Sequence, residues 1–155
     1  MVNLDTVGRL GSGKILVLGA STADEWIHIA NGAGYVTGAP VQSVMNDPGG
    51  SDQKSFVEAG VPAVQLFTGA NPDYHTPGDT PDKIDGDGLV KVAAVTREFV
   101  AYLAERDRPL TSKLGSPKVT VSGFRVSPDG PQMPGREVPQ PRFGCLPGSG
   151  HRLDE

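Results

Sequence analysis

The stretch KILVLGA, Lys14 to Ala20, constrains this chain most. It is apolar without interruption, comes after the turn Gly11-Ser12-Gly13, and reads as a strand buried inside a sheet. Beyond Ala20, helical and strand patterns alternate. Ser21 or Thr22 is expected to cap a helix that carries Asp24 and Glu25 in its first turn, places Trp26, Ile27, Ile29 and Ala30 on its apolar side, and ends near Gly32 and Gly34. A long loop runs to about Gly50, with turn chemistry at Asn46-Asp47-Pro48-Gly49-Gly50. Ser51 then reads as the cap of a short helix closed by Gly60, and VPAVQLFTG as a strand with Val61, Val64, Leu66 and Phe67 as its apolar content. Asp85 or Asp87 caps a helix to about Glu105, whose Leu89, Val92, Val95, Phe99, Val100 and Leu103 recur at helical spacing and form core. Together with a short strand in Val2–Val7, this order predicts an α/β layered domain. Three strands are visible where ~5–6 are typical, so the sheet is expected to be incomplete.

At 155 residues there is room for one domain with a tail. The domain is read over 1–107. From Arg108 Pro and Gly make up roughly a third of the residues, which predicts a poorly ordered Pro/Gly-rich tail over 108–155, or the remnant of a further module beginning with the candidate strand Lys118–Val126. The formal charge of -4 offers no basic face for nucleic acid or an anionic membrane. No apolar run approaches the ~20 residues of a membrane span. The single cysteine, Cys145, leaves the redox compartment open. No signal peptide leads the chain, and a secreted or periplasmic parent stays open.

The loop DYHTPGDTPDKID, Asp73 to Asp85, carries the strongest chemical signal. Pro77 and Pro81 keep it from becoming helix, so Tyr74 and His75 are presented side by side on a stiff loop among carboxylates. An imidazole so placed serves as a metal ligand or proton-transfer group, or is simply a surface residue beside turn-forming aspartates. Other motifs carry less. Gly8 to Lys14 resembles a phosphate-binding loop, but Ile15 comes after the lysine and begins a strand where a helix is required. Gly19-Ala20-Ser21-Thr22-Ala23 nearly matches a nucleophile elbow, which would make Ser21 a hydrolase nucleophile with a later Asp and His75; Ala23 breaks the motif and Ser21 reads better as a cap. The acidic run Asp79–Asp87 lacks the alternating ligands and closing Glu of a calcium loop. His28 reads as an ordinary helix residue.

Three separated segments resemble one family. NLDTVGR, GGSDQKSFVEAGVPAVQLFTG and DYHTPGDTPDKID are similar, in order and spacing from Val2 to Leu103, to motifs of the aminopeptidase Y family of zinc metallopeptidases. The resemblance implies a three-layer α/β/α sandwich around a mixed sheet and a site holding two zinc ions. It implies Asp5 as ligand to one zinc and His75 to the other. Tyr74 would donate its phenol to the oxyanion formed as metal-bound hydroxide attacks a peptide carbonyl. Asp52 and the turn Phe67-Thr68-Gly69 would shape the site and substrate pocket.

The departures limit this. Thr6 stands where the family has Met, and Gln53 where His is common, so support from that His is expected to be lost. The family's His-x-Asp motif, bridging Asp and Glu-Glu pair fall upstream of Asp5, and the Glu-Glu pair includes the general base. The expectation is therefore the C-terminal half of an aminopeptidase-like hydrolase that cleaves N-terminal residues from peptides. By itself the chain should be inactive and bind zinc weakly. One flank of its sheet should be an open edge or apolar surface, giving poor solubility unless a partner chain supplies the missing half. The alternative is a non-catalytic binding domain of the same fold.

Overall fold

The computed structural model describes residues 1–115; the candidate strand Lys118–Val126, Cys145, His151 and the rest of the expected tail lie outside the described residues. Strands β1 (Val2–Leu4), β2 (Ile15–Leu18), β3 (Val41–Val44) and β4 (Val64–Phe67) form one sheet in the order β1-β4-β2-β3, with helices α1 (Trp26–Thr37), α2 (Gln53–Glu58) and α3 (Gly86–Ala104). The sheet is mixed. β1 runs parallel to β4 and β2 parallel to β3, whereas β2 and β4 are antiparallel. The α/β class is the expected one. The strand count is not: β3 lies in the stretch read as loop. Val-Gln-Ser-Val is short, half polar and preceded by Pro40, so no pattern marks it. It becomes a strand because the apolar β2 offers it an edge, with Val41 opposite Ile15 and the Ile15 N–H donating to the Pro40 carbonyl at 2.8 Å.

The helix starts and stops need correction. Neither Ser21 nor Thr22 caps α1. They form a 3-10 turn, Ala20–Thr22, and the helix opens later, behind Glu25. Thr22 is buried, its hydroxyl 2.9 Å from the carbonyls of Gly19 and Ala63 while it accepts the Trp26 indole N–H at 2.9 Å. α1 then runs through Gly32 and Gly34 to stop at Gly38, which takes the left-handed conformation (φ 66°). Gly34 is needed for packing, since a Cβ there would come within 3.2 Å of Val41 Cβ. Ser51 does not cap α2 either; Asp52 holds that position without a side-chain hydrogen bond. Asp85 does cap α3, its carboxylate accepting from the Gly88 N–H at 2.9 Å.

The core is built where the expected helical stripe meets the sheet. Val92, Val95 and Phe99 are buried with Ile15, Val17, Val64 and Leu66, and Phe99 stacks on Trp26 of α1 with ring centres 6.3 Å apart. Val100 departs from the expectation at 55 % exposed, and Val61 lies outside β4 on the surface. Residues 109–113 return to the segment that leads into α1: the Asp24 N–H donates to Thr111 O, the Lys113 N–H to Thr22 O, and the Glu25 carboxylate accepts from the Thr111 N–H and Oγ1. None of the described helices is long and apolar enough to cross a membrane.

Candidate functional site

β1 delivers Asp5 to the end of the sheet, its backbone N–H still donating to Leu66 O of β4. The chain turns at Thr6, which takes a left-handed φ of 53° and donates its hydroxyl to Asp5 Oδ1 at 3.1 Å. Ser51 donates to the other carboxylate oxygen, Oδ2, at 2.7 Å. Behind Ser51 lies a buried polar chain. Asn3 Nδ2 donates to Ser51 Oγ and to Gln53 Oε1, both at 2.9 Å, and Gln53 Nε2 donates to Gln65 Oε1 at 2.8 Å and to the Asp47 carboxylate at 3.0 Å. Gln53 is fully buried. Where a His would stand, the Gln53 amide anchors a chain of hydrogen bonds that runs through Asn3 and Ser51 to Asp5.

The loop after β4 supplies the rest. Thr68 is buried and donates its N–H and its hydroxyl to Thr6 O, at 3.2 and 2.8 Å, which ties the β4 exit to the β1 exit. Gly69 comes next with φ 106°, a conformation that only glycine adopts without strain. The turn Asn71–Thr76 then presents Tyr74 and His75, with rings stacked at 3.8 Å and 18°. His75 has a left-handed φ of 58°, an uncommon conformation for a residue with a Cβ and one that the surrounding turn has to hold.

Asp5, Thr6, Leu18, Ser51, Phe67 and Tyr74 line one open cleft of about 210 Å³. Of the residues singled out from the sequence, Asp5, Phe67 and Tyr74 therefore meet in the same cavity. His75 is solvent-exposed and stacked on Tyr74, outside the cleft lining; Thr68 and Gly69 form the turn beside it; Asp52 is exposed at the N-terminus of α2. Ser51 and Gln53 are legible in the sequence only as a helix cap and a departure. The signal that could have found them is their position in a Gly-Gly-Ser stretch that folds against β1.

Ser21 gives no nucleophile elbow. The 3-10 turn separates β2 from α1, whereas the elbow needs a strand that passes directly into a helix. In the acidic run, Asp79 is paired with Arg9 and Asp85 caps α3, so both carboxylates already have structural partners.

A carboxylate and an imidazole suit zinc, and the Ser51 hydroxyl on Asp5 is the kind of outer contact that orients a metal ligand. Their number falls short: among the described residues no group of three or more His, Cys, Asp or Glu side chains is placed to hold an ion. The donors fit one flank of a metal site and do not complete one.

The mixed α/β sheet brings an aspartate from the end of β1 and a tyrosine from the loop after β4 to a single cleft. The model of peptidase family M28 matches residues 1–100, and the chain belongs to that family. Two solved structures share the fold. One is the LapA aminopeptidase of Legionella pneumophila, 22% identical with a TM-score of 0.59, over 69% of this chain and 31% of that one. The other is also a Legionella LapA structure, 23% identical with a TM-score of 0.58, over 68% of this chain and 32% of that one. The chain thus spans about a third of the length of these structures. No curated protein sequence matches it.

Proposed function

We propose that this chain carries one flank of a two-zinc aminopeptidase centre, in which Asp5 and His75 are ligands and Tyr74 is the catalytic hydrogen-bond donor. The observation that carries the reading is the shared cleft of Asp5 and Tyr74, with His75 stacked on the tyrosine, in a chain that belongs to the M28 peptidases. In the proposed complete domain, a three-layer sandwich, zinc supplies Lewis-acid polarisation and lowers the pKa of a water. The chain's own residues hold the geometry. Ser51 fixes the Asp5 carboxylate, Phe67 bounds the cleft that takes a peptide, and the half-exposed Tyr74 phenol donates a hydrogen bond where charge develops on the scissile carbonyl.

The test has two arms. The purified 155-residue chain is expected to show no turnover of aminoacyl-nitroanilides, because its described residues do not complete a metal site. Chelator-sensitive turnover by the chain alone would overturn that part. Joined to an N-terminal segment that supplies the remaining metal ligands, the chain is expected to be active and to lose activity with chelator. In it Tyr74→Phe should lower kcat by about 10²–10³ with little change in KM. Activity indifferent to chelator would overturn the metal reading.

A further inference from the structure

We infer that Arg9 is the positioning residue that holds the Tyr74–His75 turn in place relative to Asp5, an inference that rests on reading Asp5 and His75 as zinc ligands. Arg9 lies four residues after Asp5, on the segment that leaves β1. Its guanidinium reaches across to the other side of the site. Nη2 lies 2.6 Å from Asp79 Oδ1 and 3.5 Å from Asp73 Oδ2. Those two carboxylates bracket the turn that carries Tyr74 and His75. Asp73 is held from the other side by Lys83 Nζ at 2.9 Å, and its backbone carbonyl accepts from the Thr76 N–H at 2.9 Å and Oγ1 at 2.7 Å. Gly78 leaves room for this grip, since a Cβ there would come within 3.1 Å of Asp73 Oδ1.

The Arg9 backbone points the same way. Its N–H donates to Thr68 Oγ1 at 3.4 Å, and one residue earlier the Gly8 carbonyl accepts the Asp85 N–H at 2.9 Å. The segment Thr6–Gly11 is therefore joined to the loop at its start, its middle and its end, and Arg9 makes the middle connection. An isolated exposed ion pair would contribute little, but the Arg9 side chain is only 20% exposed and bridges two carboxylates. Both contacts come from Nη2, whose two N–H bonds have directions fixed by the plane of the guanidinium, unlike the freely rotating ammonium of a lysine. A His75 held at positive φ needs such a brace, because the relaxed backbone would turn the imidazole elsewhere.

The test combines amide hydrogen exchange with zinc titration of the purified chain, followed through the His75 imidazole resonances. Arg9→Met is expected to speed exchange at Tyr74, Thr76 and Asp79 by about tenfold or more, while the α3 amides keep their rates. It is also expected to raise the zinc midpoint at His75 by about tenfold. Arg9→Lys should recover part of both. Asp79→Asn, which leaves Arg9 in place, should disturb the same three amides and spare α3. Unchanged exchange at those amides in Arg9→Met, or faster exchange spread evenly through α3, overturns the positioning role. A wild-type His75 that does not respond to zinc overturns the metal reading instead, and the exchange arm still decides the case of Arg9.

Discussion

Gln53 shows how an uncharged side chain can organise a polar interior. With no exposure, it satisfies Asn3, Asp47 and Gln65 at once, and through Asn3 and Ser51 it reaches Asp5. Gln53→Leu removes the donor to the buried Gln65 and one of the partners of Asn3 and of Asp47, and is expected to cost about 1–3 kcal/mol in urea unfolding. Glu25 carries a pH dependence. Burial pushes its pKa up, but hydrogen bonds from Thr111 and the charge of Arg106 outweigh that and hold it below the ordinary glutamate range. A depressed folded-state value stabilises the protein above the unfolded-state pKa, and the gain is lost as pH falls through the lowered folded value. Glu25→Gln should therefore lower Tm near neutrality and flatten its acid limb, as measured by thermal melts across pH. Single residues are unevenly legible. Asp5, Tyr74 and Phe67 emerge from motif order and do share a cleft. Ser51 misleads because a serine before a helix has two uses, and only the fold of β1 against that stretch decides between them.

Among the elements, α3 is legible almost to its ends, because a long helix repeats its apolar period several times and Asp85 marks its start. Its stripe supports two predictions. Phe99→Ala empties the space beside Trp26 and should cost about 3–5 kcal/mol in denaturant unfolding. Gly88→Ala places a methyl against the Asp85 carboxylate and 2.7 Å from Leu10 Cβ, and should cost about 1–3 kcal/mol by overpacking, with disturbance of the helix cap. The shorter elements are less legible. β3 has four residues and owes its existence to β2, while α1 keeps glycines that its packing on β3 requires. Signals of that kind are tertiary and leave no period in the sequence.

At the scale of the molecule, β1 forms an edge of the described sheet. Met1 and Asp5 bond toward β4, so by strand alternation the N–H and C=O groups of Val2 and Leu4 point away from it. Beside that edge, Leu4, Ala93, Val100 and Ala101 line an open apolar groove. Among the described residues this flank is a strand edge beside apolar surface. Leu4→Lys with Val100→Glu is expected to reduce self-association of the chain in sedimentation velocity, whereas an unchanged distribution would mean that this surface does not drive it. The same strand sets an order of assembly. β1 pairs only with β4 among the described strands, and the partner of Val2 arrives about sixty residues later, so this contact closes a long loop and is slow to form. During synthesis Asp5 emerges before its partners, and the cleft cannot exist until the strand that seats Phe67 and the turn that bears Tyr74 have both been made. Chaperone dependence and truncation during synthesis should therefore strike the cleft of Asp5 and Tyr74 before they strike the β2–α1–β3 unit, whose elements succeed one another directly along the chain.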